Sequence, residues 1–241
     1  MRRARHTIEE VYELPTVPEL AARIDHAVLR PNSIERDVVE GCIIARREHI
    51  ASVCVKPFYV TKAVKLLEGS GVPVSTVIGF PHGGQAPEVK VGAATSALRD
   101  GAKELDMVIN IGALLDDDYA TVEREVASVV GLAHANEALV KVILETSYLD
   151  DTHKAVAARI AAASGADFVK TSTGFAPEGA TVEDVRLLKQ IVGEHVGVKA
   201  AGGIRTLDEA LALISAGADR LGTSSTAEIL ADLRRRRGED V

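Results

Sequence analysis

Lys170, in Asp167-Phe-Val-Lys170-Thr-Ser-Thr-Gly174, and Lys199, in Val196-Gly-Val-Lys199-Ala-Ala-Gly-Gly203, each close a short apolar run. A strand end is a poor place for an ammonium. Burial disfavours the charged form, and beside a second cation one of two such amines can lose its proton near neutral pH. A neutral amine attacks carbonyl carbon, so the pair points to Schiff-base chemistry. Asp106, in Glu104-Leu-Asp-Met-Val-Ile-Asn110, alternates with Leu105 and Met107 and therefore faces the opposite side. Lys141 and Glu145 share a parity in the next apolar run. A buried carboxylate needs a cation and a buried ammonium needs a carboxylate, so Asp106, Lys141, Lys170 and Lys199 are expected to form one interior charge cluster. A salt-bridge network without function is the alternative, against which stands the rarity of buried lysine.

Such residues need strands to carry them. Short β-branched runs alternate with longer amphipathic ones from about Ile24 onward, and the strand candidates are 24–29, 51–55, 74–80, 104–109, 139–145, 167–170, 196–200 and 220–222. Between them the helices announce themselves by period and cap. Leu207, Ala210, Leu211 and Ile214 follow the capping box Thr206-x-x-Glu209, and Ser225-x-x-Glu228 is expected to open the last helix in the same way. Gly165, Gly193 and Gly217 stand where helices should stop. Strands separated by helices run parallel with right-handed crossovers. Eight such units in 241 residues predict an α/β fold, one (β/α)8 TIM barrel spanning 1–241. An extra amphipathic segment, about Thr7 to Arg23, is expected to form an N-terminal helical cap on the barrel floor (1–23), and 234–241 a polar, solvated tail.

No Pro/Gly/Ser-rich linker divides the chain, and 46% apolar against 26% charged residues suits a sizeable core. The net charge of −7, with Arg234 to Arg237 as the only basic block and aromatics at 3%, argues against a nucleic-acid surface. No apolar run approaches membrane-spanning length, and Glu9 and Glu10 stand where a signal peptide would need its apolar stretch. Two cysteines, Cys42 and Cys54, are too few for a disulfide framework and fit a reducing cytoplasm.

In barrels of this kind catalytic groups come from the C-terminal ends of strands, and phosphate sits near the loops after strands seven and eight. Gly202-Gly203 follows the seventh run here, and Gly222-Thr-Ser-Ser225 leads from the eighth into a helix. Gly174, after the sixth, could add an amide. Glycines let backbone N–H groups approach an anion, and the helix dipole adds to the attraction. Any one of these glycine pairs could simply make a tight turn; their recurrence at three neighbouring strand ends points to a phosphorylated substrate. Asp25-His26 in the first strand could be a site pair, although Asp25 is better read as pinning the histidine or a lysine. Cys54 ends the second strand, where a small buried residue is ordinary. No His-x-His or His-Glu-x-x-His spacing exists, so the signal for a metal is weak, and a metal-dependent aldolase would have to draw on scattered ligands.

Taken together, Leu105-Asp106-Met107-Val108-Ile109-Asn110, Lys170-Thr171-Ser172-Thr173-Gly174-Phe175, Lys199-Ala200-Ala201-Gly202-Gly203-Ile204-Arg205, Phe80-Pro81-His82-Gly83 and Gly222-Thr223-Ser224-Ser225 closely resemble the deoxyribose-phosphate aldolase family, in the family's order, from about Ile24 to about Ser225. The resemblance implies a cytoplasmic class I lyase on a single barrel, acting on phosphorylated sugar and small aldehydes with no metal or organic cofactor. It would cleave 2-deoxy-D-ribose 5-phosphate to D-glyceraldehyde 3-phosphate and acetaldehyde, and would assemble as a dimer or tetramer. It also implies roles: Lys170 the Schiff-base lysine, Lys199 its neighbour, Asp106 the proton donor and acceptor. Gly174, Gly202, Gly203, Gly222, Ser224 and Ser225 would bind the phosphate end, with Asp25, Lys141 and Cys54 in support. Two departures stand out. Ala27 occupies a position where some members have threonine, and the chain ends Arg237-Gly-Glu-Asp-Val241 without the terminal tyrosine of some members. Another Schiff-base aldolase acting on a keto-sugar phosphate, or a phosphate-binding barrel without chemistry, are the competing readings.

Overall fold

Eight parallel strands close on themselves in sequence order: β1 (Ile24–Val28), β2 (Ser52–Val55), β3 (Val74–Ile78), β4 (Glu104–Val108), β5 (Leu139–Ile143), β6 (Phe168–Lys170), β7 (Gly197–Ala201) and β8 (Arg220–Thr223). The seam is made by β1 against β8, with Asp25 beside Gly222. The structure is a computed structural model and describes residues 14–239. The helices are α1 (Val17–Ala21), α2 (Glu35–Glu48), α3 (Val60–Leu67), α4 (Pro87–Arg99), α5 (Ile111–Leu115), α6 (Tyr119–His134), α7 (Asp151–Ala163), α8 (Val182–Val192), α9 (Leu207–Ser215) and α10 (Thr226–Arg237). All eight strands fall where the alternation of run types placed them.

The core lies between the ring of strands and the ring of helices. Leu105 and Met107 of β4, Val140 and Val142 of β5 and Val169 of β6 point outward into it and are fully buried. They meet helix faces rich in alanine, such as Ala157, Ala158 and Ala161 of α7, whose small side chains let a helix lie close to the sheet. This packing leaves the alternate residues of each strand to point into the barrel, and there the chain places charge. Gly197 stands beside Phe168 in register, where a side chain would collide with the aromatic ring, so its lack of one makes room for Phe168 inside.

At the floor, α1 enters β1 behind a complete capping box between Thr16 and Glu19. The expected cap from Thr7 is thus a short helix in its described part, and 7–13 lie outside the described residues. The arginine run differs from expectation. Arg234 to Arg237 are the last turn of α10, where positive charge meets the negative end of the helix dipole. Arg234 pairs with Glu48 at 2.5 Å, and Arg236 with Asp208 and Asp232 at 2.6 and 2.8 Å. Arg237 donates to the carbonyls of Leu14 and Pro15. Carboxylates on two neighbouring helices and on α10 itself turn a would-be tail into a helix end.

The start of α10 also departs from the sequence reading. Ser225 holds the N-cap position but its side chain makes no capping bond. Its N–H instead donates to Thr223 Oγ1 at 2.9 Å, and Thr226 Oγ1 bonds His26 Nδ1 at 2.9 Å. His26 is therefore on the outer face of β1, tied to α10, while Asp25 points inward. The two do not form a pair.

Candidate active site

Parity and register bring the interior charges together. Asp106 and Lys141 are register partners on β4 and β5, as are Lys170 and Lys199 on β6 and β7, so each pair projects from one face at one level. Asp106 is the hub. One carboxylate oxygen, Oδ2, lies 2.7 Å from Lys170 Nζ and 2.6 Å from Lys199 Nζ; the other lies 2.9 Å from Lys141 Nζ. Asp25 lies 2.5 Å from Lys199 and 3.3 Å from Lys141, so it pins lysines and not the histidine. Two members were missed from the sequence. Glu104 pairs with Lys141, and Arg220 bridges Glu104 and Asp25 at 3.0 and 2.5 Å. Glu104 shares the parity of Asp106, and Arg220 is in register with Lys199, so both were accessible to the same alternation argument.

The electrostatics separate the lysines. Burial lowers the affinity of Lys170 for its proton, Asp106 raises it and the charge on Lys199 lowers it again; the net is an amine below its ordinary value. Lys199 is equally buried, yet Asp106 and Asp25 outweigh that burial and hold it above the ordinary value. Lys141, among Asp106, Asp25 and Glu104, is held well above. Burial would raise Asp106, but Lys141, Lys170 and Lys199 together carry it well below the usual carboxylate range. The network thus keeps an ionised carboxylate touching one amine inclined to lose its proton and two that retain theirs.

Above this cluster, at the C-terminal ends of the strands, lies a cavity of about 270 Å³. Lys170, Lys199, Asp25 and Cys54 line its inner part, and Gly174, Gly202, Gly222 and Ser224 its wall. Among the described residues, the amides of Gly174, Gly202, Gly203 and Ser224 have no hydrogen-bond partner. Arg30, and Arg205 at the end of the Lys199 motif, also line the cavity, although the sequence reading gave neither a role. Free amides and two guanidinium groups around one hollow suit a bound anion. A larger hollow, about 800 Å³ between α1 and α9, is lined mainly by aliphatic side chains and converges no titratable cluster.

Not every expected residue reaches the cavity. Gly203 opens onto a neighbouring cleft beside Gly179, and Ser225 faces a separate hollow bordered by His26 and Glu228. Gly222 has a second reason to be glycine: a Cβ there would stand 2.9 Å from Ala201 Cβ and 3.2 Å from Lys199 Cε, crowding the lysine. Cys54 is a buried thiol; burial first, and then Asp106, raise it above its ordinary value, so it is no ready nucleophile. Ala27 lies on the wall.

Glu145 does not share an inward face with Lys141. It follows β5 in a left-handed backbone conformation, φ 57°, and turns its carboxylate to the N–H and hydroxyl of Thr173. Thr173 Oγ1 in turn accepts from Phe175 N at 3.1 Å. This chain of bonds shapes the loop after Lys170 and leaves the Gly174 amide unengaged. Strand parity could not foresee it, because the strand ends at Ile143.

Known proteins share this arrangement of strands and sequence. Deoxyribose-phosphate aldolase of Thermococcus gammatolerans is 51% identical over 218 residues, covering 90% of this chain and 97% of that one. The enzyme of the same name from Desulfitobacterium hafniense is 50% identical over 211 residues, 88% of this chain and 97% of its own. Among solved structures, the tetrameric deoxyribose phosphate aldolase of Aeropyrum pernix superposes with a TM-score of 0.85 at 37% identity, covering 91% of this chain and 92% of its own. The pattern described as DeoC/LacD family aldolase matches residues 20–231, which include every charged residue of the barrel interior, and on that match and those identities the chain belongs to the DeoC/LacD aldolase family.

Proposed function

We propose that this chain is a deoxyribose-phosphate aldolase, which reversibly cleaves 2-deoxy-D-ribose 5-phosphate to D-glyceraldehyde 3-phosphate and acetaldehyde through a Schiff base on Lys170. The observation that carries the reading is a contrast: of the two lysines that line the cavity, Lys170 alone is held below its ordinary proton affinity. The relatives' shared name supplies the substrate.

The neutral Nζ of Lys170 adds to the C1 aldehyde of the open-chain sugar, and loss of water from the carbinolamine gives an iminium. As the C3 hydroxyl gives up its proton, the C2–C3 bond breaks, its electron pair passes into the iminium and glyceraldehyde 3-phosphate leaves. The enamine left behind takes a proton at C2, and water then releases acetaldehyde and the free amine. Asp106, 2.7 Å from Lys170, is the group placed to move these protons, through water where the distance requires it. Lys199 supplies the neighbouring positive charge. Anchoring of the phosphate by the amides of Gly174, Gly202 and Ser224, with Arg205 beside them, fixes the far end and so orients the reacting carbons.

Reductive trapping tests the assignment. Borohydride added with deoxyribose 5-phosphate should leave a stable adduct, and peptide mapping should find it on the segment containing Lys170. An adduct on Lys199 would reverse the two roles, and absence of any adduct would sink the reaction class. The expected homo-oligomer has a precedent in the tetrameric Aeropyrum pernix enzyme, and light scattering of the purified chain tests it. Both cysteines are buried free thiols, which suits a reducing compartment such as the cytoplasm.

A further inference from the structure

The interior network holds an odd number of charges. Its bases are Lys141, Lys170, Lys199 and Arg220, and its acids are Asp25, Glu104 and Asp106, four against three, all joined by ion pairs of 3.3 Å or less. Fully ionised, the barrel interior would carry one excess positive charge with almost no water to screen it. Deprotonating one base makes it neutral. Lys170 is the base with the fewest acids: it pairs with Asp106 alone, while Lys199 and Arg220 each have two and Lys141 has three.

Arg220 and Glu104 do not touch Lys170, but the loss of either one alone would make the count even. Arg220 occupies Asp25 and Glu104, and thereby spends carboxylate charge that would otherwise stabilise the ammonium ions above it. We propose that Glu104 and Arg220, at the floor of the barrel, are positioning residues for the reaction, setting by charge balance the protonation of the amine that attacks the substrate. The proposal rests on the assignment of Lys170 as the Schiff-base lysine.

The other strands offer few competitors. From β2, Lys170 faces Cys54, which burial keeps as a thiol. Beyond β5 it feels Glu145, but that carboxyl bonds Thr173, has no ion-pair partner among the described residues and is drawn by its own burial toward the neutral acid. β3 contributes Ser75 and Val77, in register with Glu104 and Asp106 and both uncharged.

The test is the pH dependence of borohydride trapping with deoxyribose 5-phosphate under single-turnover conditions. The rate should rise as pH passes through the point at which Lys170 loses its proton. Arg220→Met removes a positive charge, so Lys170 should keep its proton longer and the acid limb should move to higher pH. Glu104→Gln removes a negative charge and should move it to lower pH. A unit charge acting across roughly 10 Å at an effective dielectric of about 20 shifts a titration by about one pH unit, so displacements on that order are expected. The double variant Glu104→Gln/Arg220→Met, which restores the odd balance, should return the limb to its wild-type place. Arg220→Lys, which keeps the charge, should not move it.

Damage to the fold would lower the rate or the melting temperature without shifting the two limbs in opposite directions. Limbs that stay fixed, or that move the same way in both single variants, overturn the proposal. Should Arg220→Met fail to fold, Glu104→Gln decides alone, and a limb at or above the wild-type pH overturns it. A wild type that forms no adduct at all would instead refute the Schiff-base reading.

Discussion

Asp106 touches three ammonium groups, and its replacement separates two roles that are easily merged. In Asp106→Asn the Lys170 amine loses the carboxylate that raises its proton affinity, so a larger fraction of it should be neutral. Activity should nonetheless fall by ~10²-fold or more, because an amide cannot take or give the proton in dehydration and hydrolysis. Lys141 and Lys199 would also face a neutral group, and breaking buried ion pairs in this way costs about 3–5 kcal/mol. The expected result is a folded, less stable protein that forms carbinolamine but turns over slowly; steady-state kinetics beside a melting curve will show it. Unchanged kcat would make Asp106 a structural residue only.

The loops after β6, β7 and β8 carry the other half of the site. Ser224→Asp would set a carboxylate beside the free amides that suit a dianion, and like charges in a partly enclosed cavity repel strongly. Cleavage of deoxyribose 5-phosphate should drop by orders of magnitude while the unphosphorylated sugar is much less affected. Equal losses on both would remove the phosphate from this cleft. The strands under these loops were readable because each alternates in a run too short for anything else, and the interior lysines follow from that parity. The loop details were not. Ser225-x-x-Glu228 has the pattern of a capping box, but the Ser225 N–H goes to Thr223, two residues back, and Thr226 bonds His26, which lies far away in sequence. Glu145 takes a left-handed turn that no period encodes, and Gly203 and Ser225 border neighbouring hollows and not the cavity.

For the molecule as a whole, the carboxyls of Asp25 and Asp106 are both held well below the usual range by their cations, despite burial. Folding therefore favours their ionised forms. A depressed carboxyl contributes stability that is complete above its unfolded value, near ~3.9, and is lost as pH falls through the folded value. The melting temperature should accordingly show no loss attributable to these two groups from pH 7 to about 5 and should fall below about 4. A decline that Asp25→Asn leaves unaltered would place the acid sensitivity elsewhere. The barrel class was legible from the count of alternating elements; the arginine-rich end of α10 was misread because its carboxylate partners, Glu48 and Asp208, belong to other helices.

The interior charges also divide along the chain in a way that bears on how the ring can assemble. Every carboxylate of the network comes from β1 or β4, and every cation from β5 to β8. The first four strands alone would gather three buried negative charges, and the last four alone would gather positive ones. Neither half of the barrel can dry its inner face without the other, while across the β4–β5 junction and the β1–β8 seam the two halves attract. The charge cluster is thus also the fastening between two half-barrels, and Lys170, the amine proposed to do the chemistry, is the one left over when they are joined.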